Sequence, residues 1–315
     1  MSFDPLISVI IPAYNGAAWI RESVGSVLEQ TYSNLEIIVV DNGSSDNTLD
    51  ILAGYGNKII VAREIEKGIG SARNKGLETA TGEFFAFLDQ DDIWFPQKLK
   101  LQMELMLSSS APDVVYSDAE EFTGDRIVHS SFYALFPLLR SPGCIGAMLV
   151  RSIVPLMSTS LVRRRLVQKH SISFSRVASG VDDLGFLFEI AYRGGTFAAV
   201  PQILVRRRLH ETNLSKDHFN RYSKRIALYE ELLDRLGTTS EMSDHLIWGL
   251  RQAHFKIGEW HWGRHEHSQA RFHLRNSLGP DTQGMRSTVY FVGTMLPTGF
   301  ATFLKRIWRS RRNPR

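Results

Sequence analysis

The chain of 315 residues carries a single cysteine, Cys144. That excludes an intramolecular disulfide and any cysteine-rich metal centre, and it fits a reducing compartment. The first residues show no basic stretch followed by an apolar core, so no signal peptide is expected. No apolar run reaches the ~20 residues that span a bilayer. Residues 287–304 are uncharged, but they stop at 18 and are interrupted by Pro297 and two glycines. A third glycine is missing after Gly68 and Gly70, where Arg73 stands instead, so the fingerprint of a Rossmann dehydrogenase is absent. Acidic residues are scarce only at the C-terminal end. Residues 216–315 hold 17 of the 37 Lys and Arg but 9 of the 33 Asp and Glu, a net +8, which leaves −4 for residues 1–215. An acidic body with a basic tail points to a polyanionic neighbour.

What the chain does have is organised around Phe84-Phe85-Ala86-Phe87-Leu88-Asp89-Gln90-Asp91-Asp92. Such an apolar run reads as a strand buried on both faces of a parallel sheet. It stops on three carboxylates, at the end of the strand where open α/β sheets bind ligands. Adjacent carboxylates repel, so they call for a cation or for hydrogen-bond donors. Oxygen ligands on a short turn suit Mg²⁺ or Mn²⁺ shared with substrate phosphates. Capping of a helix over 97–107 needs only one of the three acids.

Strands are expected at 6–12, 35–40, 59–62 and 84–88, each followed by a polar turn and, after the first three, by a helix. Asn15 stands where it would cap the first helix, over 17–30. This alternation predicts an α/β fold with a doubly wound parallel sheet. Further strands are read at 114–117, 155–162 and 198–205, with irregular chain over 120–150 and a helix opening near Asp182 and Asp183. Helices follow from residue 216, over 242–262 and over 268–278. His261, His265 and His267 have no acid or cysteine completing a ligand set, and read as packed or solvated.

Four segments resemble the family 2 glycosyltransferases: residues 9–15 (Val-Ile-Ile-Pro-Ala-Tyr-Asn), 36–46 (Glu-Ile-Ile-Val-Val-Asp-Asn-Gly-Ser-Ser-Asp), 72–74 (Ala-Arg-Asn) and 87–92 (Phe-Leu-Asp-Gln-Asp-Asp). They stand in family order, and the likeness covers about residues 6–215. It implies a GT-A fold, a mostly parallel sheet flanked by helices, and transfer from a nucleotide sugar with inversion at the anomeric carbon. Residues 1–118 would form the nucleotide-sugar half of the catalytic domain and 119–215 the acceptor half. Residues 216–285 would form a helical appendage and 286–315 a tail.

Position by position, the likeness sets Pro12, Ala13, Tyr14 and Asn15 against the nucleotide. By the same likeness Asp41 would accept the base's ring N–H, Arg73 would contact the diphosphate and Asp89 the ribose. Asp91 would hold the divalent metal, with His210 beside it. Asp183 matches the general base, in a pair where Asp182 replaces the commoner glutamate. The Gln-x-x-Arg-Trp signature of processive synthases is missing, so a single-sugar transfer is implied. The donor class expected is a UDP-sugar, and the acceptor a cell-surface glycan or lipid-linked glycan. A nucleotide-binding scaffold without catalysis, or a metal-dependent nucleotidyltransferase releasing pyrophosphate, would share the same carboxylates.

Beyond Pro297, the residues Phe300, Phe303, Leu304, Ile307 and Trp308 fall on one helical face, with Lys305, Arg306, Arg309, Arg311 and Arg312 opposite. That is the pattern of a helix lying in a membrane interface. It predicts a peripheral enzyme on the cytoplasmic face. No aromatic–basic interleaving elsewhere points to nucleic acid.

Overall fold

The structure is a computed structural model and describes residues 4–137, 154–176, 180–211, 218–237, 241–279, 287–288 and 290–291. The chain divides into two compact units, Met1–Lys216 and Asp217–Arg315.

The first unit is built on β1 (Ile7–Ala13), buried at every residue because β-branched side chains project to both faces. Parallel to it run β2 (Leu35–Asp41) and β4 (Phe84–Phe87), with β3 (Ile60–Arg63) outside β2. The register Ala13↔Asp41 ends β1 and β2 side by side. Their faces feed two cores. Val9, Ile11, Val39 and Ala86 pack under α1 (Ile20–Leu28) and α4 (Lys98–Met106). Ile10, Ile38, Phe85 and Phe87 pack under α3 (Ile69–Thr79) and the later helix α7 (Asp182–Tyr192). Burying each such side chain contributes roughly 1.5–3 kcal/mol. A β-carbon on Gly76 of α3 would lie 2.3 Å from Ile10 Cγ2, so the helix rests directly on β1.

Among the described residues the sheet has nine strands: beyond β4 come β8 (Ser160–Arg163), β6 (Val114–Thr123), β9 (Phe197–Arg208) and β5 (Ile93–Trp94), with β7 (Arg126–His129) on β6, giving the order β3-β2-β1-β4-β8-β6-β9-β5. The expected parallel arrangement holds for the first four. Beyond them the sheet is mixed, since β8 (Ser160–Arg163) runs antiparallel to both β4 and β6. β6 covers Val114–Thr123 and β9 covers Phe197–Arg208, both longer than the sequence pattern indicates. Glu120 and Glu121 face Arg206 and Arg207 across this parallel ladder, with Arg206 Nε 2.6 Å from Glu120 Oε1, so charges that read as loop are paired within the sheet. β7 (Arg126–His129) returns from β6 through Gly124. Ile93–Trp94, expected to lead into a helix, forms β5 against β9. The expected strand at 155–162 starts as a 3-10 turn, Met157–Thr159. Short helices α2 (Thr48–Ala53), α5 (Phe132–Leu135) and α6 (Arg164–Lys169) also belong to the unit.

Asn15 does not cap α1. It adopts φ 48° and accepts the Ser45 N–H through Oδ1 at 2.8 Å. The N–H groups of Asn15, Gly16 and Ala17 go to the side chains of Ser44, Thr48 and Asp46. This lacing of two strand-end loops delays the helix to Ile20.

The second unit contains α8 (His218–Leu236), α9 (Glu241–Gly263) and α10 (His267–Asn276). Phe255, Trp262, Ala270 and Leu274 form its core, and the Tyr290 ring meets Trp262 at 4.5 Å. His261 bonds Glu266, and His254 meets His273 at 2.9 Å between Nδ1 atoms. Cys144 and residues 292–315, including the amphipathic pattern beyond Pro297, lie outside the described residues.

Candidate active site

The ends of β1, β2 and β4 open on one edge of the sheet. Asp41 closes β2, buried, and receives the N–H groups of Gly43 and Ser44 at 3.2 Å each. Next to it Pro12 and Ala13 are buried while Tyr14 is 52% exposed. The Lys67 ammonium lies 4.7 Å from the Tyr14 ring centre and donates to the carbonyls of Asn42 and Gly43.

The segment after β4 sends four consecutive side chains to four destinations. Asp89 takes a guanidinium nitrogen of Arg73 at 2.7 Å. Gln90 clamps the Tyr14 backbone, accepting its N–H at 2.8 Å and donating to its carbonyl at 3.0 Å. Asp91 Oδ2 lies 2.7 Å from His210 Nε2. Asp92 is buried, with Ser158 Oγ donating at 2.6 Å and the Arg208 N–H at 3.1 Å. The three acids are therefore not one cluster around an ion, and Asp92 is held by protein donors. Burial pushes its carboxyl well above the usual range, helped by Asp91 and Asp89. Burial and then Asp89 also raise Asp91, against the pull of His210.

His210 arrives from the chain just past β9, its ring stacked on Trp19 at 4.4 Å. Arg208 fixes the approach by donating from Nε to the Asp91 carbonyl at 3.0 Å and pairing with Glu22 at 2.7 Å. Asp91 and His210 are the residues that could hold a divalent ion, and their facing atoms here hydrogen-bond each other. Among the described residues no three acidic, histidine or cysteine side chains come together as a complete cage.

Arg73 lies beneath this surface, 4% exposed. Its Nη2 meets Asp89, and its Nη1 meets Asp182 Oδ2 at 2.8 Å. Burial would lower its basicity, but Asp89 and Asp182 more than reverse this and keep it charged. Asp182 is fully engaged, since Oδ1 also accepts the Gly180 N–H at 2.9 Å. Asp183 bonds only the adjacent Leu184 N–H, at 2.8 Å, among the hydrogen bonds of the described residues. Burial, then the neighbouring Asp182 charge, raises Asp183 to about 6, with Arg73 opposing. One guanidinium thus joins the carboxylate after β4 to the N-terminus of α7. Gln90, Ser158, Arg208 and Trp19 were not singled out by sequence, although Gln90 lies inside the acidic motif itself.

Comparison with known proteins bears on the family and the fold. The family described as Glycosyl transferase family 2 matches residues 8–140. An uncharacterized glycosyltransferase of Rickettsia typhi is 31% identical over 255 residues, 76% of this chain and 75% of the relative. Escherichia coli WfgD, named a UDP-Glc:alpha-D-GlcNAc-diphosphoundecaprenol beta-1,3-glucosyltransferase, is 42% identical over 127 residues, 40% of this chain and half of its own length. The crystal structure of Staphylococcus aureus TarS residues 1–349 in complex with UDP-GlcNAc superposes with a TM-score of 0.69. The match covers 98% of this chain and 93% of that TarS fragment at 19% identity, a likeness of fold. A curled, helix-flanked sheet of GT-A type, with its acids gathered at the strand ends, accordingly belongs to an enzyme of glycosyltransferase family 2.

Proposed function

We propose that the enzyme moves one sugar from a UDP-sugar to a cell-surface or lipid-linked glycan, inverting the anomeric carbon and using Mn²⁺ or Mg²⁺. The observation that carries this reading is the Arg73 bridge, which brings Asp89 and the Asp183 end of α7 into one site. Pro12, Ala13, Tyr14 and Asn15 line the nucleotide, and Asp41 accepts from the ring N–H of the base. Asp89 holds the ribose and leans on Arg73. Asp91 and His210 hold the ion, which when bound supplies a Lewis acid for charge developing on the diphosphate.

Asp183, raised to about 6, is ionised at neutral pH and basic enough to work. It takes the proton of the acceptor hydroxyl. The freed oxygen bonds to the anomeric carbon as the bond to the diphosphate oxygen breaks, so the nucleoside diphosphate leaves with the bonding pair. The name of WfgD, a glucosyltransferase with a UDP-Glc donor and an alpha-D-GlcNAc-diphosphoundecaprenol acceptor, supports both the donor and the acceptor class.

A thermal-shift panel of nucleoside diphosphates with Mn²⁺ tests the donor site. UDP at a hundred times its dissociation constant stabilises by about 2.7 kcal/mol. No shift with any nucleotide, or release of pyrophosphate in place of nucleoside diphosphate, would sink the reading.

The basic tail holds the enzyme on the cytoplasmic face of a membrane. No helix among the described residues is long and apolar enough to cross one. Each Lys or Arg near an anionic surface adds about 1 kcal/mol, and the opposite apolar face adds burial. Full-length protein floats with anionic liposomes at low salt, and protein truncated after Gly284 does not. Full-length protein that stays off such vesicles at low salt overturns the membrane assignment.

A further inference from the structure

Positions 70, 73 and 74 share one face of α3, and all three meet the chain that leads into α7. Asn74 is 6% exposed and grips the Phe174 backbone twice. Its Nδ2 donates to the Phe174 carbonyl at 2.9 Å, and its Oδ1 accepts the Phe174 N–H at 2.8 Å. One turn earlier, a β-carbon on Gly70 would lie 2.3 Å from the Ser175 carbonyl oxygen and 3.5 Å from Asp182 Cβ. Between them Arg73 holds Asp182 at 2.8 Å. The Phe174 ring continues the link, stacked at 4.1 Å and 5° on Phe186 of α7 and edge-on to Phe87 of β4 at 5.4 Å.

We infer that Asn74 is a positioning residue: with Gly70 and Arg73 it seats Phe174, Ser175 and Asp182 so that α7 presents Asp183 to the acceptor at its working distance from the donor. The inference rests on the proposed role of Asp183 as base. Asn74 touches no reacting atom, and it acts through Phe174 and α7. A base displaced by about 1 Å loses on the order of 10²-fold in rate while the nucleotide pocket stays intact.

The experiment uses the full-length chain as wild type, Asn74→Ala, Gly70→Ala, Asp183→Asn and the Asn74→Ala/Asp183→Asn double variant. UDP binding with Mn²⁺ is followed by calorimetry, and UDP-glucose or UDP-N-acetylglucosamine hydrolysis gives kcat with water as acceptor. Asn74→Ala and Gly70→Ala keep the UDP dissociation constant within about twofold and lower kcat by ~10–100-fold. Asn74→Ala adds no further loss on an Asp183→Asn background, because the base it positions is gone.

Parallel loss of UDP affinity and kcat would assign Asn74 to the donor pocket or to general folding, and unchanged kcat would remove its role. Multiplicative losses in the double variant would likewise overturn the proposal. If Asn74→Ala fails to fold, Asn74→Asp decides in its place, since its carboxylate still accepts the Phe174 N–H but cannot donate to the Phe174 carbonyl. A wild-type chain that binds no UDP brings down the underlying reading instead, before any variant is compared.

Discussion

Asp91 and His210, 119 residues apart in sequence, meet at 2.7 Å between Oδ2 and Nε2. The contact joins the turn after β4 to the chain beyond β9, so the pair exists only once the mixed half of the sheet has folded. An imidazole nitrogen and a carboxylate oxygen thus hydrogen-bond across two distant segments of the chain.

Replacing Asp91 with Ala should abolish Mn²⁺-dependent UDP binding without cost to the fold. Its carboxylate is desolvated and repelled by Asp89, so its removal relieves the acids that remain. Calorimetry with and without Mn²⁺ checks this. An Asp91→Ala protein whose UDP affinity still responds to Mn²⁺ as wild type does would move the ion elsewhere.

Asp183→Asn should cut transfer by ~10²–10⁴-fold at unchanged donor affinity. Wild-type kcat should fall as pH drops through about 6, where Asp183 protonates, and the variant should lack that limb. Stability runs the other way. The folded value lies above the unfolded ~3.9, so the protonated form is the one the fold favours. That share is present below pH ~4 and is lost as pH rises towards 6. Denaturant melts should therefore show Asp183→Asn more stable than wild type at pH 7, by about 1–3 kcal/mol, and equal to it near pH ~4.

Arg73→Ala should destabilise the chain by roughly 3–5 kcal/mol, because it leaves Asp89 and the buried Asp182 without their partner. Arg73→Lys retains the charge but cannot reach both carboxylates with a planar fork, and should recover only part of the loss. In Arg73→Ala protein the acid limb of kcat moves above 6, since the cation opposing the rise of Asp183 is gone. A limb that does not move would separate Arg73 electrostatically from the base.

Asp41→Asn should weaken UDP binding by about 1.5–3 kcal/mol, the worth of a hydrogen bond to a charged group. Gly43 donates to Oδ2 of Asp41 and Ser44 to Oδ1, so an amide keeps one of these loop hydrogen bonds and gives up the other while β2 and its register stay in place. Circular dichroism should then match wild type while UDP titration shows the loss. Equal affinity would assign base recognition to another group.

The strand ends were legible because β1, β2 and β4 are apolar runs that stop abruptly on polar turns, and burial with turn chemistry is written locally. Asn15 was misread for the complementary reason. An asparagine before glycine after a strand looks like a helix cap, whereas its partner is Ser45, on the loop after β2. The lengths of β6 and β9 were hidden by Glu120, Glu121, Arg206 and Arg207, which resemble solvated loop until each is set against its opposite. Arg73 was visible as part of a motif. Its commitment to Asp182, 109 residues away, was not, since no periodicity encodes a single long-range ion pair.

The seat of Gly76 on Ile10 bears on the cleft as well as on the core. A helix without a side chain at its contact point stands at the smallest spacing from the sheet that backbone and an isoleucine permit. α3 carries Gly70, Arg73 and Asn74 two turns or less from that contact, so the clearance between sheet and helix fixes the height of everything they hold. Ile10 and Gly76 meet no sugar, yet together they act as the gauge to which the mouth of the enzyme is cut.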